Sequence, residues 1–206
     1  MNTNDPAQFA AAVANDVRRW LERAVIGLNL CPFAKAVHVR GQVHYAVTRA
    51  DSAAEILKDL ERELRNLVAL DAAERDTTLL ILSASLGDFL EFNDFLDRAD
   101  QLLLDLAMDG VVQIASFHPD YQFAGTAPDD IANFTNRAPY PTLHLLREAS
   151  IDRAVQAFAA AEPLFEANIR TMQKLGHAGW AALGISRSVD VSKAPLRPLA
   201  RGKIRR

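Results

Sequence analysis

The chain has 206 residues, half of them hydrophobic and 24% charged, and Cys31 is its one cysteine. That length suffices for one domain burying roughly 70% of its unfolded surface, and a single thiol excludes an intrachain disulfide. No apolar run nears the roughly 18 residues of a membrane span, and Met1–Pro6 lacks the basic-then-apolar order of a signal peptide, so the composition predicts a soluble cytoplasmic protein.

In chain order, Phe9, Val13, Val17, Trp20, Leu21, Ala24, Val25 and Leu28 recur at three- and four-residue spacing, which predicts a helix over 7–28. Pro32 disfavours helical geometry at Cys31, so a break is expected at 29–31. Val43, Tyr45 and Val47 alternate with His44, Ala46 and Thr48 as a half-buried strand over 42–48. Ser52-Ala-Ala-Glu55 is a capping box, opening a helix with Ile56, Leu60, Leu64 and Leu67 on one side. The short apolar run 78–83 reads as a strand buried on both faces. Asp88 caps another helix, with Gly110 as its expected stop.

A third strand follows over 111–117, then a loop over 118–127 and a short helix over 128–135 with Pro128 at its first turn. Pro139-Tyr-Pro141 breaks it before a fourth strand over 142–146. Ser150 caps a helix to about Ala160, and Pro163 starts a last one that Gly176 ends. The alternation predicts an α/β fold: a four-stranded, largely parallel or mixed sheet with packed helices, an N-terminal helix and two C-terminal helices. A mixed sheet covered on one face, ferredoxin-like in outline, is the alternative. Strands 78–83 and 111–117 are expected adjacent or one apart in one sheet.

Seven Lys or Arg lie in 187–206 against Asp190 alone, which leaves 1–186 with 16 basic and 25 acidic residues. The expected organisation is a single domain over 1–186 and a flexible basic tail over 187–206. The acidic body is a poor nucleic-acid surface. Only the tail suits RNA or anionic lipid, and the plainer reading is a solvated end. With Pro195, Pro198 and Gly202 and few large apolar groups, 190–206 cannot offset ordering costs of about 1–2 kcal/mol per residue. Its removal is expected to leave the melting temperature nearly unchanged.

Four strings stand out: 20–35 (WLERAVIGLNLCPFAK), 116–123 (SFHPDYQF), 136–141 (NRAPYP) and 142–148 (TLHLLRE). On these strings the chain resembles the bacterial family known as domain of unknown function 1415, over about residues 10–180. The resemblance implies a family and a cytoplasmic location. It supplies no reaction, so the chemistry rests on the residues.

In open α/β sheets, sites lie beyond the carboxyl ends of the strands. A parallel sheet would bring Ser83, Ser85 and Gly87, then His118, Asp120 and Tyr121, then Arg147 and Glu148 to one edge. His118 is the candidate acid/base, Asp120 its orienting carboxylate, and Arg147 a fixed cation. The alternative for His118 is a histidine that caps a strand end through backbone bonds. Asn136 and Arg137 lie in a Pro-stiffened loop, where Arg137 and Arg147 together would clamp a carboxylate or phosphate, or Arg137 would brace the loop on Asp129 or Asp130. Arg147 is preferred over Arg137, which enters the fourth strand from its other end.

Cys31, following Asn29, would cap a short helix opened by Pro32, with Lys35 one turn on, which favours the thiolate. Cys-Pro-Phe-Ala is similar to the active-site turn of glutaredoxin-like transferases, but that context requires a preceding strand, and here a helix precedes. A buried structural thiol is the plainer alternative. The five His are scattered without ligand spacing, and no phosphate loop or dinucleotide fingerprint occurs, so no metal or cofactor is expected. The leading expectation is a small enzyme for an anionic metabolite, with Cys31, His118 and Asp120 catalytic and Asn29, Tyr121, Asn136, Arg137 and Arg147 binding substrate. A non-catalytic ligand- or partner-binding protein is the second, and thiol chemistry through Cys31 the third. The sequence does not indicate an oligomeric state.

Overall fold

The computed structural model describes residues 5–157 and 164–189. Helix α1 spans Pro6–Trp20 and continues as a π-helical turn over Leu21–Ile26. Short α2 (Ala34–Val39) leads to β1 (Val43–Thr48), α3 (Ala53–Ala69), β2 (Thr77–Leu82), α4 (Phe89–Asp105) and β3 (Val112–Phe117). A 3-10 helix (Ile131–Asn136) precedes β4 (Thr142–Arg147), α5 (Glu148–Ala157) and α6 (Leu164–Ala182).

The strand order is β1-β2-β4-β3. β1 and β2 are parallel, whereas β4 runs antiparallel to both β2 and β3. The fold is therefore α/β with a mixed sheet, and β2 and β3 lie one apart. The direction of β4 follows from the chain between β3 and β4. Residues 118–141 contain only a six-residue 3-10 helix, whereas crossing the length of a strand takes roughly 13 α-helical residues at about 1.5 Å each. The chain therefore turns back into the sheet at the edge it left.

Both faces of the sheet are covered. On one, Ile56, Leu60 and Leu64 of α3 and Phe92, Phe95 and Ala99 of α4 pack on Leu80, Leu82, Leu143 and Leu145. On the other, Phe9, Val13, Val17 and Trp20 of α1 pack on Leu79 and Ile81 with Tyr140. Central β2 is buried throughout, as its unbroken apolar sequence requires; each such side chain contributes about 1.5–3 kcal/mol.

Several local expectations are corrected. The helix expected over 7–28 changes at Leu21 to a π turn, closed by Gly27 N–H to Glu22 O (3.0 Å) and Leu30 N–H to Val25 O (2.9 Å). A Cβ on Gly27 would lie 2.3 Å from Arg23 O, so the turn requires glycine. Helix α2 starts at Ala34 with Phe33 as its N-cap, so Cys31 is not the cap. Helix α4 ends at Asp105, before Gly110. Its left-handed residue is Ala107 (φ 53°), in a Schellman pair of Ala107 N–H to Leu104 O (3.0 Å) and Met108 N–H to Leu103 O (2.9 Å). The short helix expected over 128–135 is the 3-10 helix. Gly176 (φ 64°) does end one helical segment, but a further one runs on to Ala182.

The start of the basic segment is packed on the body. Asp16, buried in α1, accepts from Ser188 N–H (2.7 Å), Ser188 Oγ (3.0 Å) and Tyr140 OH (2.9 Å), and Val189 is buried. Residues 190–206, on which the expectation of a tail mostly falls, lie outside the described residues.

Candidate functional site

Because β4 is antiparallel, the carboxyl ends of β1, β2 and β3 share an edge with the start of β4. The segments 83–88, 118–128 and 129–141 meet there around a cleft of about 620 Å³, within the usual range for small-ligand sites. Asp88, Phe89 and Leu90 at the start of α4 form one wall, Asp120 and Gln122 another, and Asp129, Phe134, Arg137 and His177 the remainder. The Gly176 kink sets His177 against Phe134, ring centroids 5.3 Å apart.

His118 lies beneath this cleft and does not line it. It is fully buried, with its ring between Phe89 (5.4 Å) and Phe92 (5.1 Å). Its Nδ1 accepts the Asp120 N–H (3.0 Å). Nε2 therefore carries the proton and donates to Leu86 O (3.1 Å). Burial holds the imidazole below its ordinary pKa; Leu86 O and Asp120 oppose this and Arg187 reinforces it. Both nitrogens are thus spent on backbone, which ties the β2–α4 loop, where Leu86 is left-handed (φ 52°), to the loop after β3. Both bonds are of the kind the alternative for His118 describes, a strand-end histidine tied to nearby backbone.

Arg137 lines the cleft but also builds it. Its Nε donates to Tyr121 O (3.2 Å), its Nη2 to Pro128 O (2.6 Å), and the guanidinium lies 4.2 Å from the Phe134 ring centre. Burial draws it below its ordinary pKa, with Asp120 opposing. It braces the loop on carbonyls, not on Asp129 or Asp130, leaving Nη1 uncommitted to them. Asn136 contributes its backbone carbonyl to His118 N–H (3.2 Å). Tyr121 is wedged between Phe89 (5.2 Å) and Phe123 (5.1 Å), and burial raises its hydroxyl pKa. Of the expected site residues, only Asp120 and Arg137 line the cleft.

The others lie apart, and the expected pairing of His118 with Arg147 is corrected. Arg147 pairs with Val112, whereas Thr142 pairs with Phe117. At about 3.4 Å per residue, Arg147 is roughly 17 Å of strand from the His118 edge. There it closes the end of α3: Nη2 donates to Leu67 O, Leu70 O (2.8 Å) and Arg75 O (3.0 Å). The carbonyls of Leu67 and Leu70 are orphans at the negative end of α3 and that of Arg75 belongs to the turn that follows it, so a guanidinium suits them. Asn29 (φ 54°) and Cys31 belong to the turn after the π helix, where Cys31 packs partly buried against the α1-side core. Neither lines the cleft.

Sequence reasoning missed Asp88, Phe89, Gln122, Asp129, Phe134 and His177 as lining residues. Asp88 and Asp129 read as helix-start residues, and Asp88 is one: its Oδ1 accepts from Leu90 N–H (2.9 Å) and Glu91 N–H (3.0 Å). A cap uses one oxygen and leaves the other available, which no local pattern reveals. Asn133, also missed, is buried and organises the rim: its Oδ1 accepts from Phe123 N–H (3.0 Å) and its Nδ2 donates to Ala127 O (2.8 Å).

Among the described residues the lining holds three carboxylates against one guanidinium. The carboxylates do not gather at a point: among the described residues no three His, Cys, Asp or Glu are placed to hold a metal ion. Among the described helices none is long and apolar enough to cross a membrane.

No curated protein and no solved structure matches this chain. A family model described as a protein of unknown function (DUF1415) matches residues 12–182, a span that runs from within α1 to the end of α6 and contains the whole sheet and the cleft-lining residues named above, and the chain therefore belongs to that family.

Proposed function

We propose that the protein binds a ligand without transforming it, and that the ligand presents an organic cation, an ammonium or guanidinium group. The charge of the cleft carries this reading: among the described lining residues Asp88, Asp120 and Asp129 face one guanidinium, that of Arg137, which is partly committed to carbonyls. The ring of Phe89 adds an aromatic face at the wall of the cleft, whereas Phe134 already holds the Arg137 guanidinium. An anionic metabolite would meet net negative charge, and the two arginines expected to clamp it sit at opposite edges of the sheet. Acid/base catalysis through His118 lacks a free ring nitrogen.

The test is calorimetric titration with agmatine and spermidine, and in parallel with a dicarboxylate and a sugar phosphate. The cations are expected to bind, with salt-sensitive affinity. Asp120→Asn and Asp129→Asn are each expected to weaken them by roughly tenfold, about 1.4 kcal/mol. Binding of the anions in the cleft, unaffected by those substitutions, would overturn the reading.

A further inference from the structure

We infer that two copies of this chain associate edge to edge through β3, which pairs antiparallel with β3 of the second copy and joins the two four-stranded sheets into one. The backbone of β3, an edge strand, supplies the reason. Glu148 N–H donates to Val111 O (3.0 Å), and the two residues stand opposite each other because Val112 pairs with Arg147. Bonding alternates along an antiparallel strand, so Gln113, Ala115 and Phe117 turn their N–H and C=O groups to β4. Those of Val112, Ile114 and Ser116 point away from the sheet.

This outer row is closed at both ends within the chain. Val112 N–H donates to Met108 O (3.0 Å), and past the strand His118 N–H donates to Asn136 O (3.2 Å). Between them, Ile114 and Ser116 present N–H and C=O groups that bond to nothing among the described residues. Natural edges are ordinarily protected by charge, proline or a bulge. Val112-Gln-Ile-Ala-Ser-Phe117 has neither charge nor proline, and its register with β4 runs unbroken. The opposite edge differs: Arg18 lies over the Tyr45 ring of β1 (4.8 Å).

A second copy fits this window by symmetry and by charge. A two-fold axis through Ala115 sets Ile114 of each copy opposite Ser116 of the other. These residues then exchange N–H to O=C bonds on both sides of the axis, which uses all the free groups of the window. Val112 falls opposite His118, so the positions at which pairing stops coincide in the two copies. Each chain carries a net charge of −3, yet the paired segment holds no charged side chain, so the axis brings no like charges together. On the α1 side Ala115 meets its own counterpart, small enough for close approach, and Gln113 meets Phe117. Val111, 46% exposed at the start of the strand, is carried toward Pro119 of the second copy.

Association and register are tested separately. Ser116→Pro removes an N–H that serves only the outer edge, where a sheet tolerates proline, and so spares the ladder to β4. In sedimentation the natural chain is expected to pass from monomer to dimer mass at concentrations on the order of 10–100 μM, as suits a small, transient interface. Ser116→Pro is expected to stay monomeric with an unchanged urea midpoint.

In a Cys31→Ser background, Ala115→Cys sets two thiols face to face across the axis. The Cα atoms of such a non-hydrogen-bonded pair stand about 4.5 Å apart, within disulfide range. Dioxygen with a copper–phenanthroline catalyst takes up the two electrons and two protons that the thiols release, and a covalent dimer is expected. Gln113→Cys, roughly 14 Å from its counterpart, is expected to give at least tenfold less. A natural chain monomeric throughout, a dimer that Ser116→Pro leaves intact, or equal disulfide yields at the two positions would each overturn the pairing. So would a monomer whose Ile114 and Ser116 amides resist exchange, because another segment of the chain would then occupy the edge. If Ser116→Pro fails to fold, the two disulfide yields decide by themselves.

Discussion

Two side chains of catalytic type, His118 and Arg147, are spent on backbone groups, and substitution separates that role from chemistry. His118→Ala empties the space between Phe89 and Phe92 and strands Leu86 O and Asp120 N–H. Large-to-small core changes and unpaired buried polar groups each cost a few kcal/mol. The expected loss is about 2–4 kcal/mol in urea unfolding; a purely catalytic histidine would leave the midpoint unchanged. Arg147→Ala strands the carbonyls of Leu67, Leu70 and Arg75. Hydrogen bonds to charged groups contribute about 1.5–3 kcal/mol each at most, and exposure of the freed carbonyls to water offsets part. A fall of about 2 kcal/mol in unfolding free energy is expected, with agmatine binding retained in the folded protein.

At the scale of elements, two helix ends make opposite demands on Cβ. Ala107 holds a left-handed conformation at the C-terminus of α4, which costs an L-residue roughly 1–2 kcal/mol and glycine little. Ala107→Gly is therefore expected to stabilise by about 0.5–1 kcal/mol, the remainder lost to the greater freedom of glycine in the unfolded chain. Gly27 is the converse. Its added Cβ would strike Arg23 O at 2.3 Å, so Gly27→Ala forces the π turn to shift, at about 1–3 kcal/mol. Arg23 also donates to Leu183 O (2.8 Å), so the shift should reach the end of α6. Faster amide exchange at 181–186 would register it, and an unchanged midpoint with unchanged exchange would contradict it.

For the whole molecule, the imidazoles predict acid sensitivity. His44, His118 and His144 are all held below the ordinary 6.5, by burial first in each case, and His144 falls to about 4. His144 Nε2 is bonded to Thr77 Oγ1 (2.7 Å), whose hydroxyl donates to Leu145 O (2.7 Å). As pH falls below about 6.5 the unfolded chain takes up protons that the folded chain refuses. Stability is therefore complete above that value, declines below it, and stops declining on this account under the folded pKa values. At about 1.4 kcal/mol per unit, His144 contributes on the order of 3 kcal/mol. Urea midpoints are expected to drop between about pH 7 and pH 5, and His144→Gln to flatten the drop. An unchanged midpoint across that interval would show these rings to be solvated.

The order of helices and strands, the capping of α3 and α4 by Ser52 and Asp88, and the double burial of β2 were all determined locally, because periodicity, caps and turn residues act within a few positions of chain. The direction of β4 was not. It depends on whether the 118–141 connection crosses the sheet, and that reversal moves Arg147 to one edge and Arg137 to the other. The short helical signal and the Pro139-Tyr-Pro141 break were the available hints. The division of labour among polar residues was also decided only in three dimensions. His118 and Arg137 stand out in sequence because a tight loop needs strong donors and acceptors, and a site needs the same groups. Which role they take depends on whether backbone partners from distant segments, Leu86 and Pro128, come within bonding distance, and only the packed molecule determines that.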